Sequence, residues 1–137
     1  TQGRDNGIRY KYEVKDEDGP LRYSMEATRY DHLRIAKAMM DDWKNDTCEG
    51  KYLKTIYERR IAKLRKKYDK TNAYTFGKSY GGQFHFDFGG FKDRKIFVLD
   101  GAYGQSILID MDNFKIVAIN GIHMNYNWHK IALSALK

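Results

Sequence analysis

The stretch "LDGAYGQSILIDMDNFKIVAING", residues 99–121, decides the fold class of this chain. Two apolar segments, "AYGQSILID" (102–110) and "FKIVAIN" (114–120), are separated only by the polar tripeptide "MDN". So short a connection predicts that the two segments are antiparallel neighbours in one sheet. The stretch opens with glycines and an aromatic residue, a composition that also occurs at strand-lined active sites. It therefore indicates either a simple hairpin or one wall of a catalytic pocket.

Further strand patterns lie upstream of this stretch. The segments 80–88 ("YGGQFHFDF") and 94–100 ("RKIFVLD") are rich in aromatic and β-branched residues. Residues 8–14 ("IRYKYEV") alternate with the period of two that is typical of a half-buried strand. The sequence thus predicts one strand near the start of the chain and at least four strands in its second half.

Helical periodicity occupies the sequence between the first strand and the others. Apolar residues recur every three or four positions over residues 30–43, and Thr28 is placed to cap that helix. A second apolar stripe consists of Leu53, Ile56, Tyr57, Ile61, Leu64 and Tyr68. Residues 126–137 show a third helical pattern. This order of elements predicts an α+β fold, with an antiparallel sheet of four or more strands and helices on one face, in a single domain over residues 1–137.

Composition and charge narrow the function classes. With 137 residues and 42% apolar residues, the chain has the size and composition of one globular domain. It contains no run of 18 apolar residues and no charged-then-apolar leader, so we expect no membrane span. The net charge of +7 is concentrated in residues 51–70, which carry nine basic and two acidic side chains. We interpret this segment as the solvated face of the second helix; the absence of an aromatic or glycine-rich RNA-reading motif disfavours nucleic-acid binding.

Four short motifs occur in a recognisable order: "DHLRI" (31–35), "YGGQ" (80–83), "GAYGQ" (101–105) and "ID" (109–110). In this order they resemble the C-terminal half of the serine β-lactamase and penicillin-binding-protein-like hydrolases, especially the esterase and 6-aminohexanoate-dimer hydrolase branch. The resemblance covers most of residues 27–133. It implies the antiparallel fold described above and the hydrolysis of an ester, amide or lactam through an acyl-enzyme.

The resemblance also implies a site at the end of the strand that precedes "GAYGQ". The family places a K-T-G or H-x-G element there, and this chain has Leu99, Asp100 and Gly101 instead, so that leucine replaces the basic residue. The backbone N–H of Ala102 would then be one of the two oxyanion-hole donors, a contact that contributes about 3–4 kcal/mol to transition-state stabilisation. The residues implied to contact substrate are Asp100, Gly101, Tyr103, Gly104 and Gln105.

The rest of the family's catalytic machinery has no counterpart in the sequence. No Y-x-N or S-x-N element occurs, and the single S-x-x-K, Ser134 to Lys137, ends at the last residue, where the amine would be frayed and solvated. The chain is thus interpreted as the C-terminal part of a hydrolase that is inactive alone. We expect it to associate with a missing N-terminal half or with itself, because half of such a sheet exposes an edge and an apolar face.

A second interpretation is a non-catalytic binding or assembly module that presents the basic segment 51–70 to an acidic partner. Metal and cofactor binding are not predicted, because His32, His85, His123 and His129 lack zinc-ligand spacing. The lone Cys48 leaves the cellular compartment open, although proteins of the resembled family often work outside the cytoplasm. The substrate also stays open, because esterases, amidases, peptidases and lactamases share the matched elements.

Overall fold

The computed structural model of the chain describes residues 9–13, 22–63, 77–101, 105–120 and 128–137. The helices in these ranges are α1 (Arg29–Asn45), α2 (Cys48–Glu58) and α3 (Trp128–Ala135). The strands are β1 (Arg9–Glu13), β2 (Arg22–Glu26), β3 (Ile61–Ala62), β4 (Ser79–Gly81), β5 (Phe84–Phe86), β6 (Ile96–Gly101), β7 (Gln105–Asp110) and β8 (Lys115–Ile119). None of the described helices has the length and apolar character needed to cross a membrane.

The strands form two sheets. Strands β1 and β2 pair with each other in a two-stranded sheet, and β3 to β8 form a six-stranded sheet in chain order. Every pairing between neighbours is antiparallel. The predicted α+β class and antiparallel sheet are therefore confirmed.

The segment 80–88, predicted as a single strand, is a hairpin. Strands β4 and β5 pair around Gly82 and Gln83, whose φ angles are +53° and +69°. Positive φ at both central residues is typical of the type I′ turn, whose twist matches that of the flanking strands. The single-strand prediction was wrong because Gln83 is not a residue that usually signals such a turn.

The start of α1 follows the sequence prediction closely. The Thr28 hydroxyl accepts a hydrogen bond from the backbone N–H of Asp31 at 3.2 Å, and the Asp31 carboxylate accepts one from the N–H of Thr28 at 2.9 Å. This reciprocal pair is a capping box, which satisfies two backbone donors that the first helical turn would leave open. The predicted cap at Thr28 is confirmed.

Helix α2 is shorter than predicted. It ends at Glu58, and Arg59 is its C-cap. The Arg60 guanidinium donates to the carbonyl oxygen of Tyr57 at 2.6 Å and to the carboxylate of Asp87 at 2.8 Å. Ile61 lies in β3, where it is 75% exposed. Its predicted place on an apolar helical stripe is wrong, because contacts with a distant part of the sheet determine where the helix ends.

Both faces of the six-stranded sheet are packed. We call the face towards α1 and α2 the α1/α2 face; its core consists of Ala36, Met40, Leu53, Phe84, Phe86, Phe97, Ile107, Ile109 and Met111. The opposite face, the α3 face, has a core of Phe88, Phe91, Ile96, Val98, Leu108, Ala132 and Leu136. Two helices thus lie together on one face, as predicted, whereas α3 covers the other. Strands β6 and β7 accommodate both layers because consecutive side chains point to opposite faces and both sets are apolar.

Candidate functional site

The predicted site lies at the end of the β6–β7 hairpin. The pairing of these strands continues to its last pair, Gly101 with Gln105, and the pair before it joins Asp100 to Ser106. The hairpin therefore brings three of the predicted site residues together at one end of the sheet. The other three, Ala102, Tyr103 and Gly104, lie outside the described residues.

Gly101 is a glycine that the described residues around it do not require. A Cβ placed on it would lie 3.6 Å from the carbonyl oxygen of Gln105, which is an ordinary van der Waals distance. By contrast, a Cβ on Gly50 would lie 1.9 Å from the carbonyl oxygen of Asp42, so that glycine is needed for the contact between α1 and α2. The described residues thus leave room for a side chain at Gly101, which is compatible with close approach of another molecule to the strand backbone.

Asp100 has an unusual electrostatic environment. It lies on the α3 face, because it is two residues from Val98 on β6 and residues two apart on a strand share a face. Partial burial raises the pKa of its carboxyl group, an effect that the backbone N–H of Gly101 and the charge of Lys63 only partly offset. A carboxyl with a raised pKa beside a cation is a recurrent feature of functional sites.

A histidine and a lysine lie on the same face as Asp100. His85 is paired with Val98 across β5 and β6, and it is only 8% exposed. Its ring nitrogen Nδ1 lies 2.7 Å from the ammonium Nζ of Lys63. The Tyr80 ring lies beside both, with its centroid 5.0 Å from that of His85 and 6.0 Å from Lys63 Nζ. We call Lys63, Tyr80, His85 and Asp100 the α3-face cluster.

Sequence reasoning did not find this cluster as a unit. The alternation of "FHF" places His85 on the opposite face from Phe84 and Phe86, and the two packed cores agree with this. However, Lys63 was predicted to lie in a helix, so its approach to a residue 22 positions away carried no local signal.

Leu99, which precedes Asp100 on β6, points away from the α3-face cluster. Leu99 packs against the core of the α1/α2 face, whereas its neighbour Asp100 lies on the α3 face. The basic groups near Asp100 are instead His85 on β5 and Lys63, which directly follows β3. A cation near this end of the hairpin is thus present, but different positions of the chain supply it.

The serines whose side chains are described are all engaged in structural hydrogen bonds. The Ser106 hydroxyl donates to the carbonyl oxygen of Leu99 at 3.0 Å, and that of Ser134 donates to the carbonyl of Ile131 at 2.9 Å. The Ser79 hydroxyl donates to the carboxylate of Asp87. None of these contacts pairs a serine with a lysine or histidine that would activate it. The arrangement around Ser134 is thus an ordinary helix contact.

Several basic side chains of the segment 51–70 are paired within the fold. Lys54 lies 2.8 Å from the Asp46 carboxylate and 5.5 Å from the centre of the Trp43 ring. Arg60 is paired with Asp87 at 2.8 Å. Residues 64–70 lie outside the described part of the chain. The described half of this segment therefore does not form the continuous basic helical face that the sequence predicted.

The histidines that the structure describes do not gather into a metal site. His32 Nδ1 lies 3.3 Å from the side-chain oxygen of Asn120, and His85 contacts Lys63. Within the described residues, no three His, Cys, Asp or Glu side chains are grouped to hold a metal ion.

Comparison with known proteins leaves the chain without assigned relatives. No protein-family model matches it, and no curated protein or solved structure matches it either.

The position of Asp100 allows a pH-dependent test. Burial raises the pKa of Asp100 in the folded state, so that its carboxyl ionises in the unfolded chain before it ionises in the folded one as the pH rises. The free energy of unfolding therefore falls as the pH rises above the ordinary pKa of an aspartate. Asp100→Asn is therefore expected to raise the free energy of unfolding at pH 7, and the gain should disappear below about pH 4. Urea unfolding at both pH values measures this. Asp93→Asn, which makes the same change at an exposed position, is the matched control.

Proposed function

We propose that this chain supplies one wall of an acyl-transfer pocket in a serine β-lactamase-like hydrolase, and that the nucleophile comes from a part of the protein outside these 137 residues. The β6–β7 hairpin is the wall. The backbone at Gly101 and Ala102 faces the acyl group, and Ala102 N–H donates to the oxyanion. Alone, the chain does not hydrolyse an ester, amide or lactam.

The observation that carries the proposal is the space at Gly101. The family motif requires a glycine at this turn so that substrate can approach the strand, and the packing of the described residues does not require one. A glycine that neither a tight contact nor a positive φ explains is best accounted for by a partner molecule. The ladder extends to this residue, so the backbone that would meet the substrate is held in place up to the turn.

The order of elements adds support. Strand β4, which consists of "SYG", precedes the β6–β7 hairpin, and β8 follows it. Helix α3 then packs against the sheet. This is the order in which the matched motifs occur in the resembled family. The α3-face cluster adds a lysine and a histidine near Asp100, where the sequence lacks the family's basic residue at Leu99.

A fluorophosphonate labelling experiment tests the proposal. The chain is incubated with the probe alone and together with the protein segment encoded directly upstream, and the products are weighed by intact-protein mass spectrometry. We expect no adduct on the 137-residue chain, and an adduct on the upstream segment only when both are present. An adduct on the chain alone, or no adduct in either sample, would contradict the proposal.

A matched pair of glycine variants makes the test specific to the hairpin. Gly101→Ala is expected to slow labelling about a hundredfold, because a Cβ at the backbone displaces the reacting group by about an ångström. Its free energy of unfolding should not fall, since the added methyl group meets only ordinary contacts. Gly89→Ala is the control: Gly89 is exposed, a Cβ there meets nothing within 4 Å, and labelling should be unchanged. Equal labelling rates for the two variants would contradict the assignment of the pocket wall to β6 and β7.

A further inference from the structure

Side chains bind the edge strand β3 to the sheet across its neighbour. β3 makes only two residue pairs with β4, Ile61 with Tyr80 and Ala62 with Ser79. Directly after it, Lys63 reaches over the Tyr80 ring and places its ammonium 2.7 Å from Nδ1 of His85 on β5. The Lys63–His85 contact therefore spans β4 and holds the short edge strand to the third strand of the sheet.

This contact requires a neutral imidazole. A lysine ammonium has only donors, so Nδ1 of His85 must accept, and the ring proton must then lie on Nε2. An imidazolium carries a proton on both nitrogens and cannot accept from Lys63. Uptake of a proton by His85 therefore removes the hydrogen bond and places two positive charges side by side.

Asp100 provides an alternative partner for the charged ring. The charged or titratable groups near His85 include Lys63, at 2.7 Å, and Tyr80, whose ring centroid is 5.0 Å from that of His85, whereas the residue directly opposite on β6 is the buried Val98. Asp100 is two residues from Val98 on the same face, which makes it the diagonal neighbour of His85. The residues of a diagonal pair lie about 7–8 Å apart across two neighbouring strands, a distance that long side chains can span. Lys63, which follows β3, thus repels the protonated ring of His85, and the carboxylate of Asp100 on β6 attracts it.

We propose that His85 is a proton-operated latch for the edge strand. The neutral ring holds Lys63 and with it β3; the protonated ring releases Lys63 and turns to Asp100. Acidification then detaches β3 and exposes the backbone groups of β4 that had paired with it, and these groups can accept another strand. This inference does not depend on the proposed hydrolase function, and it concerns the chain as it stands.

Hydrogen exchange at one backbone amide measures the latch. The amide of Lys63 donates to the carbonyl oxygen of Lys78 at 2.9 Å, so it reports on the attachment of β3 to β4. We expect its protection factor, after correction for the intrinsic pH dependence of exchange, to fall about tenfold or more between pH 7.5 and pH 5.5, on either side of the ordinary histidine titration. The amide of Leu108, in the centre of the sheet, should keep its protection. Equal protection of Lys63 at both pH values would overturn the proposal.

The variant His85→Gln separates the latch from a general effect of acid. The amide oxygen of glutamine can accept from Lys63 but takes up no proton in this range, so protection at Lys63 should become independent of pH. If this variant retains the acid-induced loss, the latch is not at His85. The ¹⁵N chemical shifts of the ring in the unmodified protein give a second criterion that needs no substitution. At pH 7.5 they should show the proton on Nε2, and a proton on Nδ1 would contradict the proposal.

Discussion

Phe97→Ala is expected to lower the free energy of unfolding by about 3–5 kcal/mol, the usual range for removing a fully buried phenylalanine ring. Phe97 is completely inaccessible to solvent in the centre of the α1/α2 face. Its ring centroid lies within 4.8–6.0 Å of four other aromatic rings, those of Trp43, Tyr57, Phe84 and Phe86. Alanine would leave a cavity between both helices and the sheet, because none of these rings belongs to a segment that can move without disturbing its neighbours.

Chemical denaturation monitored by circular dichroism checks this expectation. The control is Ile131→Ala, which removes an apolar side chain that is 52% exposed on α3 and should change stability by about 0.5 kcal/mol or less. Phe97→Leu should fall between the two, since it keeps part of the volume. A loss below about 1 kcal/mol for Phe97→Ala would mean that the aromatic cluster is not the centre of the core.

The local features of the fold were accessible from the sequence. The cap at Thr28 depends on a residue three positions away, so sequence and structure agree on it. The antiparallel course of β6, β7 and β8 follows from short connections that leave no room for a crossover. The hydrogen bonds of Asp110 to the turn after β7 are local as well, because their donors lie two and three residues further along the chain.

The features that sequence reasoning missed depend on distant contacts. The end of α2 is determined by the pairing of Arg60 with Asp87, which lie 27 positions apart. Likewise, α3 lies on the opposite face from α1 because β6 is apolar on both sides, and a strand with two apolar faces does not indicate which helix belongs to which face.

The candidate site shows the same division. The family resemblance implies Asp100, Gly101 and Gln105 as site residues, and the structure brings them together because they adjoin one hairpin turn. Lys63 and His85 join Asp100 only through the order of four adjacent strands, and the predicted continuation of α2 concealed that order. A motif that is local in sequence could thus be found, whereas a cluster assembled by strand pairing required the structure.

Asp110→Ala is expected to lower the free energy of unfolding by about 3–5 kcal/mol, the cost of breaking a buried ion pair by removing one partner. The fully buried carboxylate accepts from the backbone N–H groups of Asp112 at 3.1 Å and Asn113 at 3.2 Å. It also binds the Arg94 guanidinium, which in turn donates to the carbonyl oxygen of Leu136 at 2.7 Å. One side chain thus stabilises the β7–β8 turn and, through Arg94, the end of the C-terminal helix.

Asp110→Asn divides this loss into its two parts, because the amide oxygen can still accept from the turn but carries no charge for Arg94. Burial alone would raise the pKa of Asp110, but hydrogen bonds from Asn113 and Arg94 outweigh it and hold the pKa below the usual aspartate value. A carboxyl whose folded-state pKa is depressed stabilises the fold above its unfolded-state pKa, and this stabilisation is lost as the pH falls through the folded-state value. The difference in unfolding free energy between the unmodified protein and Asp110→Asn should therefore be largest near neutral pH and shrink below about pH 4. Urea titrations from pH 7 to pH 2.5 measure it, and a difference that stayed constant over that range would show that the Arg94 pairing contributes nothing to stability.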